Sequence, residues 1–377
     1  MSFESFVYFV FCVFMVAFGY RTMRIVVAMS GGVDSSVAAA LLAEQGHDVI
    51  GLSMQLYDQS EGHTSFGSCC SIDDLHDARR VAAAIHIPHY ILNFEKQFDQ
   101  QVISNFVQEY VAGRTPLPCA RCNSDLKFAT LADRARGLGA DAVATGHYAR
   151  VERAEASGRY LLKRGVDSGK DQSYFLFSLT QEQLASALFP VGDRPKETVR
   201  DYARRRRLPV ANKPDSQEIC FIPGHDYRSF VTRRAPEAAR VGVFVDEHGD
   251  VLGTHEGIHR FTVGQRKGLG LASPTGTPMY VLALRAADQQ VIVGPKSSLE
   301  RTTLTASDVN WILAEPNQPL RAAAQIRHRH KAAPAAVRSL GDGRAEVVFD
   351  APQTAITPGQ AVVFYDGDTV VGGGWID

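Results

Sequence analysis

The sequence predicts an α/β protein, with a parallel, doubly wound sheet followed by a small mixed α+β domain and a C-terminal β-barrel. From Met23 to about Gly146, short apolar strand-like segments alternate with helix-like segments. Such alternation is typical of parallel sheets covered by helices on both faces. After Val241 the segments become short, alternating and interrupted by glycine, a pattern typical of β-barrels.

The predicted elements follow this order along the chain. In the sheet region they are strands at 24–29, 48–54, 87–94 and 141–145, and helices at 37–44, 73–85, 98–112, 123–138 and from 196 to about 207. Later strands are predicted at 241–245, 280–284, 291–293, 346–349 and 361–365. The domains are predicted as 1–22 (non-core extension), 23–222 (catalytic), 223–290 (small central) and 291–377 (barrel).

Composition limits the possible classes of protein. The chain has 377 residues, 45% apolar residues and a formal net charge of −1, so contacts with nucleic acid require local basic patches. Six cysteines are too few for a disulfide scaffold and indicate reduced thiols in the cytoplasm.

The apolar stretch 6–18 is short for a membrane span and lacks signal-peptide flanks. We expect a start-site overextension or a leader there and no membrane partner, with an anchor as the alternative.

The clearest chemical motif is the loop after the first strand, SGGVDSS at residues 30–36. A strand, a glycine-rich turn and a helix present backbone N–H groups to an anion. Asp34 would repel phosphates unless a cation such as Mg²⁺ lies between them. The loop lacks the Gly-Lys-Ser/Thr ending of a Walker A motif and is not GxGxxG. It therefore predicts a different kind of phosphate site, with a plain connection capped by serines as the alternative.

Two further motifs contain cysteine. Cys119 and Cys122 form a CxxC just before the helix predicted from Asn123, where a neighbouring Arg121 should lower a thiol pKa below ~8.5. This placement suits a nucleophile or a metal ligand, although zinc needs two more ligands, for which 69–70 offers a cysteine pair. Cys220 lies between apolar neighbours, so its local sequence predicts only a small buried side chain.

Eight segments together resemble one family, the tRNA-specific 2-thiouridylases, which are N-type ATP pyrophosphatases. They occur in family order and span the chain from Met23 onward. The segments are AMSGGVDSSVAAALL (28–42), GLSMQ (51–55), CCSIDDLHDARRVA (69–82), GRTPLPCARCNSDLKF (113–128), ATGHYAR (144–150), GKDQSYFL (169–176), PDSQEICFIPG (214–224) and GQRKGLGL (264–271).

The resemblance implies an enzyme that adenylates the 2-oxygen of the wobble uridine of tRNA and then replaces AMP with sulfur from a cysteine persulfide. It implies ATP with Mg²⁺ as cofactors, and tRNA and a persulfide-donating protein as partners. The implied residues are Cys122 (nucleophile) and Cys220 (persulfide carrier), able to form a disulfide together; Ala28, Met29, Ser30, Gly31, Gly32, Val33, Asp34, Ser35, Met54 and Gly146 (ATP); Leu117, Pro118 and Cys119 (target base); and Lys170, Asp171, Gln172, Arg327 and His328 (tRNA).

One position departs from the family pattern. Many members have aspartate where this chain has Cys119. This cysteine could act as a thiol base, as a resolving thiol, or with Cys122 and Cys220 as a ligand of an iron–sulfur cluster.

Two other functions stay open at this point. An adenylating enzyme that delivers ammonia or an amine to a small substrate would share the loop at 30–36 without needing the thiols. A non-catalytic thiol or metal RNA-binding module would rest on the CxxC and on the arginines at 204–207. Such an arginine run is more often a solvated helix face than a phosphate-binding surface.

Overall fold

The computed structural model describes residues 22–56, 72–215, 219–222, 224, 226–271 and 276–377. The apolar stretch 6–18 and the cysteine pair at 69–70 lie outside these ranges. In the described part of the chain, no helix is both long and apolar enough to cross a bilayer. Three sheets organise these residues, and the predicted fold class is confirmed.

The first sheet has five parallel strands in the order β3-β2-β1-β4-β7. The strands of this region are β1 (Arg24–Ala28), β2 (Asp48–Gln55), β3 (His89–Asn93), β4 (Ala142–Ala144), β5 (Ala149–Arg153), β6 (Tyr160–Arg164) and β7 (Ala187–Leu188). The helices are α1 (Val33–Glu44), α2 (Ile72–Ala84), α3 (Glu95–Phe98, π-helical Asp99–Ile103, Ser104–Val111), α4 (Pro118–Arg121, π-helical Cys122–Thr130, Leu131–Gly137), α5 (Gln181–Ser186) and α6 (Lys196–Arg205).

The central strand β1 is apolar on both faces because helices cover both sides of the sheet. Successive side chains of a strand point to opposite faces, and the packing follows that rule. Val26 packs in the cluster formed with α3 and α4. Ile25 and Val27 pack in the cluster formed with α1, α2 and α6. All three are completely buried, as expected for a doubly wound sheet.

Helix α4 begins earlier than the sequence indicated. We expected it from Asn123, but it starts with Pro118 in its first turn. Proline is well suited there because its missing N–H is not needed and its φ is already helical. The CxxC therefore lies within the first turns of the helix, with Cys119 and Cys122 three residues apart on one side. The expectation that the thiols precede the helix is wrong.

The middle region contains helix α7 (Tyr227–Arg234) and a four-stranded sheet in the order β10-β11-β8-β9. Its strands are β8 (Gly242–Val245), β9 (Val251–His255), β10 (Tyr280–Arg285) and β11 (Gln290–Gly294). Only β8 and β11 pair in parallel in this sheet. This region has its own small apolar core, which includes Phe244 and Phe261.

The C-terminal region is a closed antiparallel barrel. Its strands are β12 (Glu300–Trp311), β13 (Leu320–Gln325), β14 (Ala333–Gly341), β15 (Arg344–Thr354), β16 (Ala361–Asp366) and β17 (Thr369–Ile376). Pairing of β12 with β17 closes it. The hairpin β5–β6 joins this sheet through Lys163 and Thr369, so the barrel is attached directly to the first domain. The domain boundaries stay a prediction.

Asn310 is a testable link between barrel and first domain. Its Nδ2 donates to the carbonyls of Phe177 (2.7 Å) and Leu179 (2.9 Å). We expect Asn310→Ala to lower the free energy of unfolding by about 1–3 kcal/mol, because two carbonyls next to buried side chains lose their donor. Urea unfolding followed by fluorescence of Trp311 and Trp375, the two tryptophans of the chain, measures this change. The exposed Asn317 gives the control: Asn317→Ala should change little, and equal effects would contradict the link.

Candidate active site

The predicted phosphate loop lies at the carboxyl end of β1 and is packed tightly on both sides. Gly31 has φ +72°, and a Cβ there would lie 2.2 Å from the carbonyl oxygen of Asp74. A Cβ at Gly146, just after β4, would lie 2.5 Å from the amide nitrogen of Ser35. Both positions therefore require glycine. The structure brings Gly146 against the loop, as expected for motifs at neighbouring strand ends.

Helix α1 begins in this loop without a side-chain cap on its N-cap residue, Gly32. The loop serines bond within the loop instead: the Ser30 amide donates to Ser35 Oγ (3.2 Å), and Ser36 Oγ donates to the Gly32 carbonyl (2.7 Å). A helix N-terminus without a side-chain cap offers backbone donors and a partial positive charge to an anion.

The other predicted nucleotide residues lie next to this loop but differ in exposure. Met29, Val33 and Met54 are buried in the core, so they can offer mainly backbone groups to a ligand. Ala28 ends β1 and Met54 lies one residue before the end of β2. All of them are at the same edge of the sheet.

Asp34 is already paired with a cation. Lys196 Nζ lies 2.7 and 2.8 Å from the two carboxylate oxygens of Asp34. The hydroxyl of Tyr148 donates to the same carboxylate at 2.8 Å. Burial, together with the negative charge of Asp34, raises the pKa of Tyr148 well above its usual value, so this hydroxyl remains a donor.

Asp215 extends this network. Its carboxylate lies 2.8 Å from Lys196, 2.7 Å from Lys170 and 2.6 Å from Arg200. Burial alone would raise the pKa of Asp215, but hydrogen bonds from Lys170 and Lys196 outweigh it and hold the pKa well below its usual value. We call Asp34, Lys170, Lys196, Arg200 and Asp215 the loop network. It contains three cations and two carboxylates.

A second lysine fixes the loop from the other side. Lys213 Nζ donates to the carbonyl of Gly31 (3.1 Å) and pairs with Asp74 and with Asp77 (2.6 Å). Burial lowers the pKa of Lys213, but its bonds to Asp74 and Asp77 raise it overall, so it stays charged. The loop is thus held between α2 and the segment after α6.

The three cysteines differ in exposure, and two of them pack in the same apolar cluster. Cys119 is exposed, Cys122 is buried and Cys220 is partly buried. Cys122 belongs to the core around α3 and α4, and Cys220 packs against the same core. Phe221 fixes the second segment through edge-to-face contacts with Phe98 (5.4 Å) and Phe106 (5.1 Å) of α3.

The barrel holds the segment that precedes the CxxC. Gln360 Nε2 donates to the carbonyls of Thr115 (3.0 Å) and Pro116 (3.2 Å). The guanidinium of Arg121 stacks 4.7 Å from the ring centre of Trp375. These contacts lie on both sides of the predicted target-base residues, of which Leu117 is partly buried, Pro118 is buried and Cys119 is exposed.

The residues predicted to contact tRNA lie near one another but are not equally available. Lys170 pairs with Asp215, and the Gln172 side chain accepts from the Tyr148 amide (2.9 Å). The carboxylate of Asp171 is almost fully buried and pairs with Arg164 (2.7 Å). That arginine also reaches Gln325 Oε1 (3.2 Å).

Arg327 and His328 follow Gln325 and are exposed. Gln325 Nε2 donates to the backbone carbonyls of both residues (3.2 and 2.8 Å), so the contacts through Arg164 connect them to Asp171. The His328 ring lies 4.6 Å from that of Phe175. Although His328 reaches the surface, partial loss of its water contacts and then the positive charge of Arg329 lower the pKa of its ring. The arginines at 204–207 are exposed as well, and two of them pair with Asp201 and Glu44.

Comparisons with known proteins cover nearly the whole chain. The family model described as a tRNA methyl transferase HUP domain matches residues 23–224. A tRNA methyl transferase PRC-barrel domain matches 228–295 and an aminomethyltransferase beta-barrel domain matches 301–376. The tRNA-specific 2-thiouridylase MnmA of Geotalea uraniireducens is 55% identical over 95% of this chain and 96% of its own. The chain belongs to the tRNA-specific 2-thiouridylase family.

The match to a second relative covers the same share of this chain. The tRNA-specific 2-thiouridylase MnmA of Clostridioides difficile is 46% identical over 95% of this chain and 99% of its own. Membership in the family confirms the resemblance predicted from the eight segments. Among solved structures, the match to an NMN synthetase from Francisella tularensis covers 53% of this chain and 68% of that chain, with 16% identity and a TM-score of 0.32.

Sequence reasoning missed most of the loop network. Lys196, Arg200 and Asp215 were not predicted as site residues. Their partners are far away in sequence: Lys196 lies 162 positions after Asp34. A single lysine after a proline carries no local signal for such a pairing. The unusual carboxylate in the loop was the one available clue.

Asp215→Asn tests the electrostatics of this network. We expect it to lower the free energy of unfolding at neutral pH by about 2–3 kcal/mol, less than for a fully buried pair because 23% of the Asp215 side chain is exposed. The folded-state pKa is depressed, so this stabilisation is present above the unfolded pKa of about 3.9 and is lost as the pH falls further.

Urea unfolding between pH 3 and pH 7 measures that difference. The exposed pair of Asp201 and Arg204 (3.0 Å) provides the matched control, and Asp201→Asn should change stability by less than about 0.5 kcal/mol. A cost of Asp215→Asn that does not shrink below pH 4 would contradict the proposed charge pairing.

Proposed function

We propose that this protein uses ATP to convert the wobble uridine of tRNA to 2-thiouridine, with release of AMP and pyrophosphate. The observation that carries the proposal is the loop at 30–36, where the N-terminus of α1 has no side-chain cap and lies beside the loop network. Family membership and the two cysteine segments of the same core support the thiolation chemistry.

In this proposal the phosphates of ATP lie on the backbone donors at the start of α1. The amides of the first helical turn have no intrahelical acceptors, and Ser30 at the surface can add a hydroxyl donor. Gly146 and Met54 lie at the neighbouring strand ends, where the rest of the nucleotide would bind. Attack of the uridine 2-oxygen on the α-phosphorus of ATP forms the adenylated uridine and expels pyrophosphate. This makes the 2-oxygen a good leaving group.

Sulfur transfer then needs two thiols. The terminal sulfur of a Cys220 persulfide attacks C2 of the adenylated base, and AMP leaves with the former 2-oxygen. The Cys122 thiolate attacks the Cys220 sulfur, which breaks the S–S bond to the base and leaves its sulfur as 2-thiouridine. The product is a Cys122–Cys220 disulfide, and an external thiol reductant returns both cysteines to thiols. A persulfide-donating protein reloads Cys220.

Leu117, Pro118 and Cys119 are proposed to border the target base, since they lie just before Cys122 at the start of α4. Cys119 is exposed and occupies the position where many family members have aspartate. We propose that it serves as the acid/base group or as a resolving thiol. Lys170, Asp171, Gln172, Arg327 and His328 are proposed to contact tRNA. For Asp171 the backbone would make that contact, because its carboxylate is committed to Arg164.

The described side chains do not fit the two predicted metal groups, Mg²⁺ and an iron–sulfur cluster. The carboxylate of Asp34 is engaged by Lys196 and Tyr148, so it is not set up as a ligand of Mg²⁺, and any Mg²⁺ would accompany the nucleotide. Within the described ranges, no three His, Cys, Asp or Glu side chains are grouped to hold a metal ion. We therefore derive no step through an iron–sulfur cluster. We place the reaction in the cytoplasm, where its thiols stay reduced.

Loss of the gene tests the proposed reaction. We expect tRNA from a deletion strain to lack 2-thiouridine at the wobble position, as measured by mass spectrometry of digested tRNA. Expression of the wild-type chain should restore it. Unchanged 2-thiouridine in the deletion strain would refute the proposed function.

Two cysteine variants test the sulfur chemistry. Cys122→Ser and Cys220→Ser should each reduce thiolation to background, because a hydroxyl cannot form a persulfide or a disulfide. Binding of ATP, measured by calorimetry, should remain within about threefold of wild type, since neither residue lies on the phosphate loop. Thiolation above background by either variant would exclude that cysteine from the reaction.

A further inference from the structure

The loop at 30–36 contains a contradiction that the proposed function leaves unsolved. Asp34 stands in the first turn of α1, beside the backbone donors that would receive the phosphates of ATP. A negative side chain at a helix N-terminus stabilises the helix, but it repels a second anion at the same place. The sequence suggested Mg²⁺ as the missing cation, and the engaged carboxylate of Asp34 does not fit that role.

Lys196 is held at this point from several sides. Its ammonium lies 2.7 and 2.8 Å from the oxygens of Asp34 and 2.8 Å from Asp215. Its backbone amide donates to Asp167 Oδ2 at 2.9 Å. Only 11% of the side chain is exposed, and the ammonium lies 5.7 Å from the ring centre of Tyr148. The long lysine side chain therefore has little freedom to leave Asp34.

The position of Lys196 in its own helix is unfavourable. It is the first residue of α6, and a cation at a helix N-terminus opposes the helix dipole. Burying an ammonium is also costly unless it is paired. The side chain is thus stabilised by Asp34 and Asp215 and not by α6. Lys196 destabilises its own helix but makes a close contact with Asp34 of the phosphate loop. This points to a role for Lys196 at that loop.

We propose that Lys196 is a positioning residue of the phosphate loop, whose charge neutralises Asp34 so that the polyphosphate of ATP can bind beside it. The inference rests on the proposed use of ATP and goes beyond it, because it assigns the counter-charge of Asp34 to the protein and not to a metal ion. Asp215, Lys170 and Arg200 complete the loop network, whose three cations outnumber its two carboxylates.

The charge-suppressor pair Lys196→Met and Asp34→Asn tests this proposal. Lys196→Met leaves Asp34 without its cation, so we expect the Kd for ATP to rise at least about tenfold, whereas the Kd for AMP, which lacks the two outer phosphates, should change less than threefold. Adding Asp34→Asn removes the repulsion. The double variant should bind ATP within about threefold of Asp34→Asn alone. Calorimetry with ATP and AMP measures all four proteins.

The controls separate this effect from loss of structure. Lys163 has a similarly covered side chain, 19% exposed, and pairs with Glu152 (3.2 Å) and Asp368 (3.4 Å) away from the loop. Lys163→Met should leave the Kd for ATP unchanged, and Lys196→Arg, which keeps the charge, should bind ATP better than Lys196→Met. If Lys196→Met does not fold, the comparison of Asp34→Asn with the double variant decides, because removing both charges of a buried pair is usually tolerated.

Three results would overturn the proposal. The first is a Lys196→Met protein that binds ATP as wild type does. The second is a double variant that binds ATP at least tenfold more weakly than Asp34→Asn, which would make Lys196 a direct phosphate ligand. The third is an Asp34→Asn variant that alone loses ATP binding in a Mg²⁺-dependent way. If the variants give any of these results while the wild-type protein thiolates tRNA, only the role of Lys196 is refuted. If the wild-type protein binds no ATP, the proposed function is refuted as well.

Discussion

The candidate active site depends on how the fold accommodates one carboxylate, that of Asp34, at the start of a helix. The salt bridge from Lys196 at 2.7 Å satisfies it, and other polar contacts hold that pair and the loop in place. Tyr148 reaches Asp34 from the segment between β4 and β5, Asp215 holds Lys196 from the other side, and Lys213 fixes the Gly31 carbonyl. Three segments that are distant from the loop in sequence, around Tyr148, Lys196 and residues 213–215, are therefore tied to it by hydrogen bonds and ion pairs.

The thiols are positioned by different means. Apolar packing against α3 fixes the segment of Cys220 through Phe221, while the barrel fixes the segment before Cys122 through Gln360 and Trp375. The first domain thus supplies the loop that we propose to bind phosphate, and the C-terminal barrel helps to place Cys122, the proposed nucleophile. This division gives the barrel a role in the site beyond any direct contact with tRNA.

Local sequence patterns predicted the features that have local physical causes. The buried strand β1 and the glycine-rich turn are a run of adjacent residues, and the structure has them at the predicted place. Helix α1 begins at Val33 and not at the predicted Val37, so residues 33–36 of the loop already belong to the helix. Alternation of strands and helices predicted the parallel sheet, but it did not predict the order of the strands in that sheet. The start of α4 was wrong because two prolines looked like a rigid loop, although Pro118 is a good first helical residue.

Long-range pairings could not be predicted in the same way. The contact of Asp34 with Lys196 and the joining of Lys163 to Thr369 depend on how distant elements pack, and neither leaves a periodic signal in the sequence. The same holds for Asp171, whose place in a family motif gives no indication that Arg164 and the amides of Gly165 and Ser173 already occupy its carboxylate. Motifs indicate which residue types are present, whereas their partners appear only in the fold.

The claim at the centre of this account is that ATP activates an oxygen atom of RNA and is not a phosphate donor. It is tested most directly by following that atom. A tRNA with ¹⁸O at the 2-position of the wobble uridine is thiolated with unlabelled ATP, and the nucleotide products are examined by mass spectrometry. Adenylation of the 2-oxygen predicts one ¹⁸O in each AMP released, together with pyrophosphate and one 2-thiouridine. Unlabelled AMP, or ADP with orthophosphate, would contradict the account.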